Sequence, residues 1–321
     1  TLAISSASDH ITREMIFILA FLLGAARSFE MPATQALLPS IVPVELFPRA
    51  VAAAQAAQQS ATIVAPAFGG LLYAFGSVWV YGPSVALYLI AALLMSTLPA
   101  RQLPLNKAKA TLDSLLAGIR FIRSRPDVLG AISLDLFAVL LGGATALLPV
   151  FATDMLLAGP SGLGMLRSAP AVGALLMSLW LARFPVERKV GRVMFIAVGV
   201  FGVATIAFGL STSFWFSLAV LVVLGAADMI SMVIRASFVQ LETPDEMRGR
   251  VSAVNGLFIG ASNQLGEFES GATAHWLGTV PAVVLGGVGT LVVTGLWIKL
   301  FPGLANRDRM VEEKSDLPPA A

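Results

Sequence analysis

LGAARSFEMPATQALLPSIVPVELFPR (23–49) and LGAADMISMVIRASFVQLETPDEMRGR (224–250) are the two stretches whose alignment decides the fold. A shift of 201 residues superimposes them, with identity at Leu23/Leu224, Gly24/Gly225, Ala25/Ala226, Ala26/Ala227, Met31/Met232, Pro43/Pro244, Glu45/Glu246 and Arg49/Arg250. Eight matches in 27 positions compare with about two by chance for residue usage this biased. Each copy is an apolar helix, a short loop and the start of another helix. The chain is therefore built from repeats in the same orientation, not from inverted copies.

Composition says where such helices live. The chain has 321 residues, of which 57% are hydrophobic and 12% charged, and its mean hydropathy is +0.83. Soluble domains carry about 25% charged residues, so this chain has too little polar surface for a water-soluble globule. The same numbers exclude disorder, which needs few apolar residues. A net charge of +2 gives no argument for a nucleic-acid partner. Without cysteine there is no thiol chemistry and no cysteine-bound metal. His10 and His275 are remote from one another and form no metal motif. Nothing resembles a phosphate-binding P-loop. No metal site and no cofactor is expected.

A spanning helix needs about 20 mostly apolar residues. Nine segments qualify: 15–42, 50–76, 79–98, 129–154, 161–183, 193–211, 213–240, 249–276 and 280–300. Strand-like alternation is absent, so the expected fold is an all-α polytopic membrane protein. Of the 21 Lys and Arg, 17 fall on alternate connections and the C-terminal tail, and only Arg13 falls on the opposite side. By the positive-inside rule that basic side, with the C-terminus, is cytoplasmic. The chain is expected to be integral to a membrane, with that basic side in the cytoplasm.

The organisation follows from the repeat. Residues 1–98 read as part of a first transmembrane half, 99–128 as a cytoplasmic connecting loop, 129–300 as a second half and 301–321 as a tail. The second half opens near residue 129, and 201 residues earlier falls upstream of Thr1. The arithmetic predicts an N-terminally incomplete six-plus-six bundle, short by about 70 residues or three spans. Within the loop, Leu112, Leu115, Leu116, Ile119 and Ile122 recur at helical spacing. That pattern fits either an amphipathic helix on the membrane surface or one packed under the bundle. From Asn306 the tail is polar and is expected to be disordered.

PDEMRGRVSA (244–253), SLLAGIRFIRSRP (114–126) and NQLGEFESG (263–271) resemble the bacterial drug and siderophore exporter branch of the major facilitator superfamily. The resemblance covers essentially the whole chain and implies a secondary transporter of two parallel six-helix halves. Two family signatures recur in altered form. The antiporter signature Gly-x-x-x-Gly-Pro-x-x-Gly-Gly reads ATIVAPAFGG (61–70), with Pro66, Gly69 and Gly70 matching and Ala61 and Ala65 replacing glycines. Small residues there permit close helix approach with or without a coupling role. The loop signature Asp-Arg-x-Gly-Arg reads RKVGR (188–192). Gly191 and Arg192 match, and Arg188 stands at the acidic position of the usual gating ion pair. In the related loop, Arg248, Gly249 and Arg250 belong to the same motif group.

Charged groups inside spans are costly and face a partner or a wet cavity. Arg27, Glu30 and Thr34 share one helix face, and their repeat mates are Asp228, Ser231 and Arg235. The resemblance implies that these two stripes line a central cavity and look at one another. They are either the polar part of a transport path or charge pairs that hold helices together. Asp135 has no basic neighbour in sequence. It is either a reversibly protonated acid in an apolar wall or a solvated acid near the cytoplasmic end. Glu267 and Glu269 point to different faces of one helix. Gln55, Gln58, Gln59, Asn255, Asn263 and Gln264 read mainly as interhelical glue.

The expected function is proton-coupled export of an amphipathic small molecule by alternating access. Its expected partners are lipid, that substrate and the proton gradient, with the chain monomeric and not an enzyme. Two other readings stand beside it, a truncated relic that does not transport and a membrane-embedded lipid-modifying enzyme. The second needs a nucleophile and base, or a metal cluster, at one depth, and the sequence offers neither.

Overall fold

The computed structural model describes residues 12–26, most of 57–97 and all of 112–309. It divides into two compact units, Thr1–Ala108 and Lys109–Ala321. Among the described residues all regular structure is helical.

In the first unit, helix α1 runs over 13–26, helical turns occur at 64–66 and 68–73, and α2 is Val78–Ser96. The expected spans at 15–42 and 50–76 are each only about half within the described residues. Arg27, Glu30 and Thr34, the first polar stripe, lie outside them, as do Gln55, Gln58 and Gln59. Ala61, Ala65, Pro66, Gly69 and Gly70 all lie in helical backbone. A Cβ added at Gly69 would meet no atom within 4 Å. The close helix contact expected of that signature is thus not made at Gly69 among the described residues.

The second unit holds α3 (Leu112–Ser124), α4 (Pro126–Leu141), α5 (Gly159–Arg183), α6 (Val190–Gly209), α7 (Phe214–Glu242), α8 (Asp245–Leu277) and α9 (Thr279–Leu300). Six helical stretches in the described chain are long and apolar enough to cross a bilayer: Trp79–Ser96, Pro126–Met155, Gly159–Arg183, Val190–Gly209, Phe214–Glu242 and Thr279–Leu300. Helix α8 forms where the span at 249–276 was expected. It is 33 residues long, but Asn255, Asn263, Gln264, Glu267 and Glu269 leave it less apolar than the other six. Glu267 is exposed, and the half-buried Glu269 accepts a hydrogen bond from the Thr273 hydroxyl at 2.8 Å.

Helix α3 is the packed alternative of the two read from its periodicity. Ile122 is buried in the core, and a Cβ at Gly118 would lie 2.9 Å from the Arg250 carbonyl on α8. The span at 129–154, expected to be continuous, is broken. Helix α4 stops at Leu141, Gly142 and Gly143 leave helical geometry, a 3-10 turn covers Ala144–Leu147, and helix resumes to a widened π turn at Phe151–Met155. Crowding explains the break. A Cβ at Gly142 would sit 2.6 Å from the Phe201 ring, and one at Gly143 would strike the Ser270 hydroxyl and lie 2.9 Å from the Gly266 carbonyl. Non-helical backbone at membrane depth is tolerated where protein buries it, and here α6 and α8 do so.

Helix α7 is the centre of the unit. Against α5 it packs almost backbone to backbone, because a Cβ at Gly173 would run into the Val222 carbonyl and one at Gly225 into the Pro170 carbonyl. Gly225 is one of the glycines repeated at the 201-residue shift, so that identity has a packing cause. Two apolar cores lie along the helices. One gathers Ile122, Leu134, Met194, Phe238, Val251 and Leu304. The other gathers Leu148, Phe151, Leu166, Phe208, Leu221 and Val283. On α7 the change from one core to the other falls between Leu224 and Ile234, and polar residues occupy that interval.

The start of the tail departs from expectation. Residues 306–309 are ordered, with Arg307 only 9% exposed, and 310–321 lie outside the described residues. Polar composition suggested disorder, but these residues satisfy the open N-terminus of α6. The Lys189 amide donates to the Asp308 carboxylate at 3.1 Å, Val190 to the Asp308 carbonyl at 3.3 Å and Gly191 to the Arg307 carbonyl at 3.0 Å. A helix start leaves such amides without intrahelical partners and favours a nearby anion. Lys189 takes a left-handed backbone (φ 54°), and these three bonds hold it there.

Candidate functional site: a charge ladder along one helix

Helix α7 carries Asp228, Arg235 and Glu242 at seven-residue intervals. Seven residues are close to two helical turns, so the three lie on nearly one face, about 10 Å apart along the axis. Ser231 lies on the same face, one turn from both Asp228 and Arg235.

The middle of this ladder is buried inside the second unit. Asp135, Ala138 and Val139 from α4, Val198 and Phe201 from α6, and Ala227, Asp228 and Ser231 from α7 line a void of about 10 Å³. That is roughly room for one water. Arg235 forms an ion pair with Asp135, and both residues are buried, at 5% and 8% exposure. Asp135, which has no basic neighbour in sequence, thus has a partner 100 residues further along the chain, and at 8% exposure it is not the solvated acid of the second alternative. Asp228 borders the same void, and among the described residues it has neither an ion pair nor a hydrogen bond. The one guanidinium is thus taken by Asp135, and Asp228 has no counter-charge among the described residues. The stripe Asp228–Ser231–Arg235 is turned toward α4 and α6 within its own unit.

The lower rung is built differently. Arg307 pairs with Glu242, lies 3.7 Å from the Asp127 carboxylate, and stacks its guanidinium 5.3 Å from the centre of the Phe238 ring. Its Nε also donates to the Arg309 carbonyl at 3.2 Å. Sequence reading had missed Asp127, Glu242 and Arg307 as a set. The seven-residue spacing of Asp228, Arg235 and Glu242 was the available signal.

The loop residues serve this end. Gly191 is where the tail docks, since a Cβ there would strike the Leu304 carbonyl. Asp308 supplies, from 119 residues away, the carboxylate that the loop lacks at Arg188. Arg192 and Arg250 are exposed, Arg248 donates to the Gln240 carbonyl at 3.2 Å, and a Cβ at Gly249 would meet open space. Among the described residues no group of His, Asp and Glu is arranged to hold a metal.

A family model of the Major Facilitator Superfamily matches residues 1–267. The chain belongs to the major facilitator superfamily. Similarity to individual proteins points the same way within that family. The chain is 29% identical over 300 residues to the enterobactin exporter EntS of Citrobacter koseri, covering 92% of this chain and 70% of the relative. It is 28% identical over 279 residues to the enterobactin exporter EntS of Escherichia coli O1:K1, covering 86% of this chain and 63% of the relative. The chain thus spans about two thirds of the length of the curated relatives it matches. As a member of this superfamily it is an integral membrane protein of a transporter family, not of an enzyme family.

Proposed function

We propose that this major facilitator protein exports an amphipathic small molecule from the bacterial cell by alternating access, driven by inward proton flow. The observation that carries this reading is the void lined by Asp135 and Asp228, of which only Asp135 is paired, with Arg235. An uncompensated carboxylate among spanning helices is expensive, and it is relieved by taking up a proton or a cation. A one-water void beside it has room for a single proton-carrying water. Arg235 and Asp135 hold α4 against α7, Asp228 carries the proton, and Ser231 stands between Asp228 and Arg235 to bond the water. Protonation takes the cluster from a net charge of minus one to zero. Conformations that hydrate the void differently then bind the proton with different affinity, and only such a difference can drive a population shift.

Supporting this reading are the exporter names of the relatives and the absence of a nucleotide-binding loop. In the same proposal the basic end, with residues 183–192 and 301–309, faces the cytoplasm of an inner-membrane protein, by the charge asymmetry of the loops. Arg27, Glu30 and Thr34, the repeat mates of Asp228, Ser231 and Arg235, are in the same proposal polar residues of the transport function, and the chain works as a monomer. The test is efflux from vesicles holding the chain and loaded with a panel of fluorescent amphipathic compounds. Efflux of at least one compound should accelerate with an imposed pH gradient and stop when a protonophore is added. Efflux that ignores the gradient would remove proton coupling from the account.

A further inference from the structure

At the basic end of the second unit, a groove of about 610 Å³ opens between the end of α5, the loop 184–189 and the last turns of α7. Its floor is apolar, made by Leu181, Val186, Val233, Ile234 and Leu241, with Ser237 among them. Its rim carries Arg188 and Arg309, with Glu187 as the single acid. Arg188 is the residue that replaces an acid in the loop signature, so the rim is cationic where the family pattern is anionic. Depth is marked independently. The exposed Trp180 and Phe184 rings lie 4.7 Å apart at the end of α5, and the Arg183 guanidinium sits 5.6 Å from the Phe184 ring. Aromatic residues of this kind sit at the headgroup level of a bilayer.

A second crevice in the same unit makes the contrast. It has about 670 Å³ and is lined by Ile196, Val200, Val203, Phe216, Val220 and Leu291 among others, with no charged residue. A crevice of that kind takes acyl chains without regard to headgroup. The first groove differs in having two guanidiniums and one carboxylate at its mouth, a net positive rim at headgroup depth.

We propose that the groove bounded by Arg188 and Arg309 is a binding site for an anionic phospholipid. The phosphodiester lies between the two guanidiniums, whose planar donors suit phosphate oxygens. One acyl chain runs over Leu181, Val233 and Ile234 toward the membrane interior. Basic pockets between spanning helices bind acidic headgroups by this chemistry.

The test is native mass spectrometry of the purified full chain, titrated separately with dioleoyl phosphatidylglycerol and dioleoyl phosphatidylcholine. One phosphatidylglycerol should bind more tightly than phosphatidylcholine, and Arg188→Gln and Arg309→Gln should each weaken it about fivefold. Ser237→Trp fills the floor and leaves both charges in place, so it should also reduce binding. Val203→Trp, in the uncharged crevice, should leave the headgroup preference unchanged. Circular dichroism confirms that each variant is folded. Equal binding of the two lipids by the unaltered chain overturns the proposal, as does a preference that survives loss of both arginines. Displacement of the lipid by millimolar inorganic phosphate overturns it too, because the groove is then an anion site without a place for the chain.

Discussion

The second unit holds the same three groups twice, two carboxylates and one arginine, and treats them in opposite ways. At the basic end, Arg307 reaches both Asp127 and Glu242, whose side chains are 34% and 23% exposed. Water shares the work there, and every charge has a partner. At mid-length, Arg235 serves Asp135 alone, and Asp228 stands beside a void with no counter-charge among the described residues. Composition is therefore no guide to role. Both clusters are short of one positive charge, but a surplus shared by two partly hydrated acids around one guanidinium fastens elements together, whereas a surplus left on one acid beside a void must be exchanged with something else. The lower rung is a clasp and the upper one, in our proposal, a proton site.

Stability measurements break or sharpen this contrast. The largest effect belongs to Arg235→Met, which leaves the buried Asp135 without its cation and the half-buried Asp228 close by. Removing one partner of a buried pair costs roughly 3–5 kcal/mol, so detergent unfolding should show a loss of that order. Adding Asp135→Leu to that variant should restore much of it, and a double-mutant cycle reads the coupling. No recovery in the double variant means that the pair is not the unit described here.

Next in size is Arg307→Met. Its carboxylates keep contact with water, so discounted for solvent the loss is about 1–2 kcal/mol. Proteolysis after residue 301 should rise with it, because the caps on Lys189, Val190 and Gly191 depend on the same segment. Salt separates the clasps further. Screening shortens from about 10 Å at 0.1 M salt to 3 Å at 1 M, so the Arg307→Met deficit should shrink while the Arg235→Met deficit persists. Equal salt responses would show that the two clusters share one environment.

Hydropathy alone located the helices of the second unit to within a few residues, because a bilayer imposes one length and one composition on each span. It failed where tertiary contacts decide. Nothing local to Gly142 and Gly143 reveals that Phe201 and Ser270 crowd them. The polar Asn306–Arg309 looks like a free end until its backbone is found on the start of α6. Half of the candidate site was legible, since the repeat and the helical spacing isolated Asp228, Ser231 and Arg235. Asp135 was noticed, yet its pairing with Arg235 crosses 100 residues of chain, and no local spacing rule connects them.

The smallest structural perturbation tests the central claim most directly. Asp228→Asn keeps the shape and polarity of the side chain, removes the uncompensated charge, and should change stability by less than about 1 kcal/mol. Efflux is then measured against imposed pH gradients, at matched membrane levels, for the unaltered chain, Asp228→Asn and Glu242→Gln. The account predicts that Asp228→Asn loses the pH-gradient-dependent component entirely while Glu242→Gln keeps it. Wild-type pH dependence in Asp228→Asn would contradict the account and leave Asp228 a packing residue.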